Sequence, residues 1–369
     1  MENWDTNLIA PFKTPNPLPN AKLISHFLFT RHGSRSPIFE WPNYPNKNIP
    51  WPSTNVYSDN SVNRRITIAN GVQMNFSKKT KNGFLLDSGR REQEILGKLY
   101  YNYLAVENSL LNKEDNYDLS QIYIRSSSSP RCIESGTSFM HGLYKPRKQG
   151  EKLIMQTGDP QTEIFCPHPT LNDFYRNLTN KFIQTDDFRT RFSLIPDEIK
   201  KMFKLHPVDY LLLGDFPLTL QFNNFQLPSM IEEDNKRSRF LSGQPNGSLY
   251  GLLLSNLAYF STGYVNYCGK DASGPIFNFL GDRIRKFLNN ETKAKFSLFS
   301  AHDITISCVL TRLGYVNLKC VPPYASHLAV ELWDTKYRQV LRFVMNGEPI
   351  KVNGLPTIDV QSFLQEFTE

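Results

Sequence analysis

The segment Arg31-His32-Gly33-Ser34-Arg35-Ser36-Pro37 constrains the fold more than any other part of the chain. It follows residues 22–30, a mostly apolar run too short for a helix, which reads as a buried strand. Gly33 and Pro37 then break the chain. Two arginines and a histidine therefore stand just past the carboxyl end of a strand, where open α/β sheets bind their ligands. The same rhythm recurs twice. Residues 121–125 form a second short strand candidate, which runs into a serine-rich turn, Arg131 and a helix to about residue 143. Residues 295–300 form a third, followed by Ala301-His302-Asp303 and a helix over 304–313. Strand, polar turn and helix in repetition predict an α/β fold with a central, mostly parallel sheet flanked by helices.

The residue types at these strand ends suggest a chemistry. Two guanidiniums grip a phosphate or carboxylate through several charge-assisted hydrogen bonds. Packed beside a histidine, they lower its pKa, because neighbouring positive charge disfavours protonation. A neutral imidazole among anion-binding arginines is a nucleophile aimed at phosphorus. A lone Arg-His pair would more often be a basic surface loop, and a lone His-Asp pair would mean little.

The whole string resembles the Arg-His-Gly-x-Arg-x-Pro signature of the histidine acid phosphatases, the second branch of the histidine phosphatase superfamily. With five fixed residues each near ~5% frequency, a chance match in a chain this long is on the order of one in ten thousand. The resemblance continues at residues 83–89 with Glu94-Ile95-Leu96-Gly97, where Leu86 replaces the family's Thr. At residues 125–131 the family has Arg-Ser-Thr-Asp-x-x-Arg, so its phosphate-binding Arg maps onto Arg131, and Ser128 replaces its Asp. His302-Asp303 and Pro322-Pro323-Tyr324-Ala325-Ser326 also resemble the family. The resemblance implies a phosphoglycerate mutase-like core and hydrolysis of phosphate monoesters through a phosphohistidine. It makes His32 the nucleophile and Asp303 the general acid, with Arg31, Arg35, Arg131 and His302 on the phosphate. No cofactor and no metal are implied. A zinc site built on His32, His302 and Asp303 would stand among repelling arginines. First-branch enzymes start Arg-His-Gly-Glu instead. A non-catalytic phospholigand-binding module would have lost His32 or Asp303, and both are present. Substrates within the family range over aryl, sugar, inositol and lysophospholipid phosphates.

The 369 residues suggest a core with a second lobe or insertion. Residues 1–20 read as an extended N-terminal arm, 21–145 and 246–369 as the catalytic core, and 146–245 as a mainly helical cap. The polar connection over 38–82 is expected to wall the site, with Trp41 and Trp51 seeking burial. Asp87 or Ser88 is expected to cap the helix over 87–104, and 249–264 and 276–288 read as two helices. Residues 328–333 and 339–345 read as a hairpin. Arg125, His168 and His206 read as structural or solvated.

The net charge of +7 suits an anionic, phosphorylated small molecule. No basic block or motif points to nucleic acid, and no apolar run is long enough to span a bilayer. A homodimer is allowed. Without a signal segment the chain reads as cytoplasmic, while the resemblance allows a lysosomal or secreted location. The five scattered cysteines read as free thiols, with a Cys308–Cys320 pair as the alternative.

Overall fold

The computed structural model describes residues 10–38, 41, 51, 53, 82–113, 117–144, 154–158, 163–166, 173–223, 225–229, 231–233, 248–315 and 321–368. The first apolar run is strand β1, Ala21–Arg31. Phe27 and Phe29 enter one core cluster, and Leu23 and Leu28 enter another on the opposite face. Burial on both faces explains why this stretch is mostly apolar rather than strictly alternating.

The helix α1, Asp87–Tyr101, is followed by β2, Ile122–Ser126, then α2, Pro130–Leu143, and β3, Gln156–Thr157. Four helices come next: α3, Asp173–Phe182; α4, Asp186–Ser193; α5, Asp197–Phe203; and α6, Asp215–Phe222. Then α7, Leu249–Tyr259, and α8, Val265–Leu288, lead into β4, Phe296–Ala301, and α9, Asp303–Arg312. The chain closes with β5, His327–Thr335; β6, Gln339–Met345; β7, Glu348–Ile350; β8, Ile358–Asp359; and α10, Val360–Phe367.

The sheet is mixed. Strands β3, β2, β4 and β1 run parallel in that order, with β4 between β2 and β1. On the far side of β1, strands β5, β6, β7 and β8 pair antiparallel, and β5 and β6 form the expected hairpin. Helices α1 and α2 cover one face, and α8, α9 and α10 the other. A third cluster gathers Trp41, Ile199, Tyr210, Leu213, Phe216 and Leu253, with Trp51 packed against it. Both tryptophans thus find apolar partners. The rest of the 38–82 connection lies almost wholly outside the described residues, but its base is closed: Gly83 N donates to Pro37 O at 2.9 Å.

Two expected boundaries move. Neither Asp87 nor Ser88 caps α1; the flanking residue is Leu86, whose N–H donates to Ser34 O at 2.9 Å. The loop after β1 thus packs against the helix entry, which has no side-chain cap. The predicted helices at 249–264 and 276–288 are one helical run, because a π-helical turn, Phe260–Tyr264, joins α7 to α8. Pro275 lies inside α8, at a cost of about 3 kcal/mol to an isolated helix. Complete burial of Ile276, Phe277, Leu280 and Ile284 in the core opposes that cost. Cys132, Cys166, Cys268 and Cys308 are free thiols, and Cys320 lies outside the described residues. Among the described residues no helix is long and apolar enough to cross a membrane.

Beneath α1 the sheet carries a buried polar network. Glu331 accepts from Tyr103 Oη at 2.7 Å, Trp333 Nε1 at 3.0 Å and Arg342 Nε at 2.6 Å. Beside it His26 is fully buried among Tyr100, Tyr103 and Phe296, and neither ring nitrogen has a hydrogen-bond partner among the described residues. Burial, followed by the charges of Arg342 and His327, pushes its pKa down to about 3. Below pH ~6.5 the unfolded chain binds a proton that the folded chain refuses, so stability present above that pH is lost as pH falls. The expected slope from this residue is about 1.4 kcal/mol per pH unit between pH ~6.5 and ~4. His26→Leu should flatten the decline of urea midpoints over that window by this amount. Equal slopes in both proteins would mean that His26 is protonated in the folded state.

Candidate active site

The parallel register brings three strand ends level. Arg31 pairs with Ala301, and Ser126 with Ser300. The ladder extends one step past the strands: His32 N donates to Ala301 O at 3.0 Å and Ser127 N to Ser300 O at 2.9 Å. His32, Ser127 and His302 therefore leave the sheet side by side, and the rings of His32 and His302 meet edge-on with centroids 5.6 Å apart.

His32 is almost completely buried. Its Nδ1 lies 2.9 Å from Gly33 O. A carbonyl only accepts, so Nδ1 carries the proton and Nε2 keeps its lone pair. Burial lowers the imidazole pKa well below its ordinary value, and the charges of Arg131, Arg31, Arg35 and His302 lower it further. Both effects favour the neutral ring, which is the state a nucleophile needs.

The arginines are held by their tips. Arg31 donates from Nη1 to Pro322 O at 2.5 Å and pairs through Nη2 with Asp303 Oδ2 at 3.0 Å. Its guanidinium carbon lies 4.3 Å from the centre of the Tyr324 ring. Arg35 makes a bidentate pair with Asp215, at 3.0 and 2.6 Å. Arg131 reaches His302 Nδ1 with Nη2 at 3.4 Å, and Ser127 Oγ lies 2.9 Å from His302 Nε2. Arginine can only donate, so Nδ1 of His302 accepts and Nε2 carries the proton. The Nε atoms of Arg31, Arg35 and Arg131 are buried without a hydrogen-bond partner among the described residues. Buried donors of this kind need acceptors, and an anion bearing several oxygens would supply them to all three.

The family model described as histidine phosphatase superfamily (branch 2) matches residues 22–346. The chain belongs to that family. It is 25% identical over 371 residues to counting factor 60 of Dictyostelium discoideum, spanning 93% of this chain and 83% of that protein. It is 25% identical to human prostatic acid phosphatase over 328 residues, 84% of this chain and 73% of the relative. Among solved structures, Bifidobacterium longum multiple inositol polyphosphate phosphatase with inositol hexasulfate superimposes with a TM-score of 0.58 at 12% identity, over 96% of this chain and 95% of that one. The apo phytase of Hafnia alvei gives 0.57 at 13% identity, over 95% and 97%. These two likenesses show the shared fold.

In this histidine phosphatase the signature loop is braced by α1. Glu92, a buried carboxylate, accepts from Ser34 N at 2.8 Å and from Ser34 Oγ. Gln93 Nε2 donates to Arg31 O at 2.8 Å, and Gly33 N to Ser135 Oγ of α2 at 3.1 Å. Gly33 and Gly89 face each other so closely that a Cβ on Gly89 would stand 2.2 Å from Ser34 O. Gly89→Ala must push the loop off the helix, which costs about 1–3 kcal/mol. Its kcat/KM on p-nitrophenyl phosphate should fall at least ~10-fold. Wild-type activity in a folded Gly89→Ala protein would mean that the contact does not set the loop.

All six residues singled out in the sequence, Arg31, His32, Arg35, Arg131, His302 and Asp303, meet at these strand ends. Asp303 opens α9, with its Oδ1 accepting from Ile304 N at 2.8 Å. Arg125 turns to the buried Glu163 at 3.3 Å and packs over Phe165, as its structural reading requires. Glu163 also accepts from the backbone of Ser128, at the position where the family's Asp is missing. His206 is exposed, and His168 lies outside the described residues. Ser127, Glu92, Glu163 and Asp215 escaped the sequence reading. Ser127 carried a faint signal, as the first residue past a strand end, and the three acids carried none.

Proposed function

We propose that this histidine phosphatase hydrolyses phosphate monoesters by covalent transfer to His32. The observation that carries the reading is the 2.9 Å approach of His32 Nδ1 to Gly33 O, which assigns the proton to Nδ1 and leaves the Nε2 lone pair free among three guanidiniums. In this reading Nε2 attacks phosphorus and the ester oxygen leaves on the opposite side. Arg31, Arg35 and Arg131 hold the nonbridging oxygens, His302 joins them by turning its Nε2–H from Ser127 Oγ to a phosphoryl oxygen, and together they stabilise the charge of the transferring group. Asp303 gives its proton to the leaving oxygen, and its carboxylate then assists the water that cleaves the phosphohistidine. Asp303 is ion-paired to Arg31, so in this reading the phosphoryl group takes Arg31 over and leaves Asp303 to carry the proton it donates.

The same proposal divides the chain into an arm (1–20), a core (21–145 and 246–369) and a helical cap (146–245). The run of short helices α3 to α6 between β3 and α7 supports it, although this segment packs continuously with the core: Phe182, Phe188 and Leu211 enter the main cluster, and Leu213 and Phe216 share theirs with Trp41 and Leu253. The substrate is a phosphorylated small molecule.

The test is turnover of p-nitrophenyl phosphate between about pH 4 and 8 with excess chelator, combined with rapid quenching into alkali. Chelator-resistant turnover and radiolabel on the peptide carrying His32 are expected. Turnover that depends on added metal, or label on another residue, would overturn the mechanism.

A further inference from the structure

Helix α6 enters the site from a part of the sequence that carries no motif. Three of its residues, Asp215, Thr219 and Phe222, recur at i, i+4 and i+7 and so share one face. Each makes a contact at the clamp. Asp215 binds Arg35 through both carboxylate oxygens. Thr219 Oγ1 lies 3.4 Å from Tyr324 Oη, and the Phe222 and Tyr324 rings meet edge-on at 5.2 Å. Tyr324 in turn packs against Arg31, at 4.3 Å from guanidinium carbon to ring centre, and stands 5.8 Å from the His32 ring.

The donors of Arg35 can be counted. A guanidinium has five N–H groups. Asp215 accepts one from Nη1 and one from Nη2, and Ser36 O accepts the other Nη1 hydrogen at 3.1 Å. Nε–H and the second Nη2–H remain, side by side on one edge, and Nε is buried with no partner among the described residues. That edge is the second fork of the guanidinium, matched to two oxygens of a phosphate. Asp215 thus uses up one fork and turns the other free.

The carboxylate is itself held fast. Asp215 is buried, accepts from Ile38 N at 2.8 Å, and lies in the first turn of α6, where the helix dipole favours negative charge. The preceding Gly214 lets the helix start lie against α7, since a Cβ there would stand 2.5 Å from Leu253 O. Burial alone would raise the Asp215 pKa, but the Arg35 charge and the hydrogen bonds of Arg35 and Ile38 bring it below the ordinary value.

We infer that Asp215 is a positioning residue for phosphate recognition: it fixes Arg35 through one fork so that the Nε–Nη2 edge is presented to the phosphoryl group. The inference rests on the phosphatase reading for its meaning in catalysis, but it can be measured without turnover.

The experiment compares wild type, Asp215→Asn and Asp215→Glu with Arg35→Ala, by calorimetric titration with inorganic phosphate and by steady-state kinetics on p-nitrophenyl phosphate. A misplaced clamp is expected to lower kcat/KM about 10²-fold. In Asp215→Asn, phosphate binding should weaken at least ~10-fold, and Arg35→Ala should add little on top, because both changes remove the same fork. Asp215→Glu should recover part of the loss. If Asp215→Asn binds phosphate as tightly as wild type, or more tightly because a negative charge has gone, the inference is overturned even where the melting temperature drops. A wild type that binds phosphate without hydrolysing esters would defeat the phosphatase reading alone, and the titrations would still decide the role of Asp215.

Discussion

Replacing His32 with alanine is expected to reduce p-nitrophenyl phosphate turnover by about 10⁴-fold or more, the scale seen when a covalent nucleophile is removed. The surroundings leave no substitute. His302 has its Nε2 proton engaged by Ser127 and its Nδ1 occupied by Arg131, so its ring offers no free lone pair. Two thiols are near, Cys132 at 3.5 Å from His302 and Cys166, but burial pushes their pKa values up to about 11 and about 12, and the Cys132 Sγ–H donates to Ala301 O. The fold should survive, because the backbone of residue 32 remains hydrogen-bonded to Ala301 and Ala325 and the imidazole carries no charge. Inorganic phosphate should still bind, since the arginines stay in place. A variant that keeps more than about one part in a hundred of the activity would be incompatible with a phosphohistidine at this position.

The second large effect is selective. Asp303→Ala should slow hydrolysis of alkyl phosphates by roughly 10²- to 10⁴-fold, the contribution of a general acid to a poor leaving group. On p-nitrophenyl phosphate the loss should be several times smaller, because p-nitrophenolate departs without a proton. Two other consequences of the change must be separated from this one. Asp303 also neutralises Arg31 and accepts from Ile304 N. Asp303→Asn keeps an acceptor for Ile304 N while removing the acid, and it should show the same split between substrates. Equal losses on both esters in both variants would assign Asp303 to holding Arg31 rather than to proton transfer.

The strands and the signature residues were legible in the sequence for a local reason. A strand buried on both faces is mostly apolar, as residues 22–30 and 295–300 are, and the polar, glycine- and proline-containing segments that follow mark the strand ends. The parallel crossover arrangement then delivers those ends to one edge. The antiparallel half of the sheet was legible only as the hairpin over β5 and β6; that β5 pairs with β1 is a non-local fact. The helical run through Pro275 escaped because propensity is a weak guide where the following residues are wholly buried. Likewise Leu86 stands where a capping side chain was expected because a loop from elsewhere in the chain meets the helix there.

By itself the sequence determined the kind of chemistry: a histidine with anion-binding arginines, and a His-Asp pair, each written into a few consecutive residues beside an apolar strand. Tertiary structure alone decided how those groups are oriented. The His32 tautomer depends on a carbonyl that the loop folds back onto Nδ1, and the close packing of Gly33 on Gly89 fixes that loop. The free edge of Arg35 depends on Asp215, 180 positions away. A lone Asp in a segment without periodicity gives no local sign of such a pairing. The contact exists because the packing of α6 against α7 brings its carboxylate to a buried charge that needs a counterion.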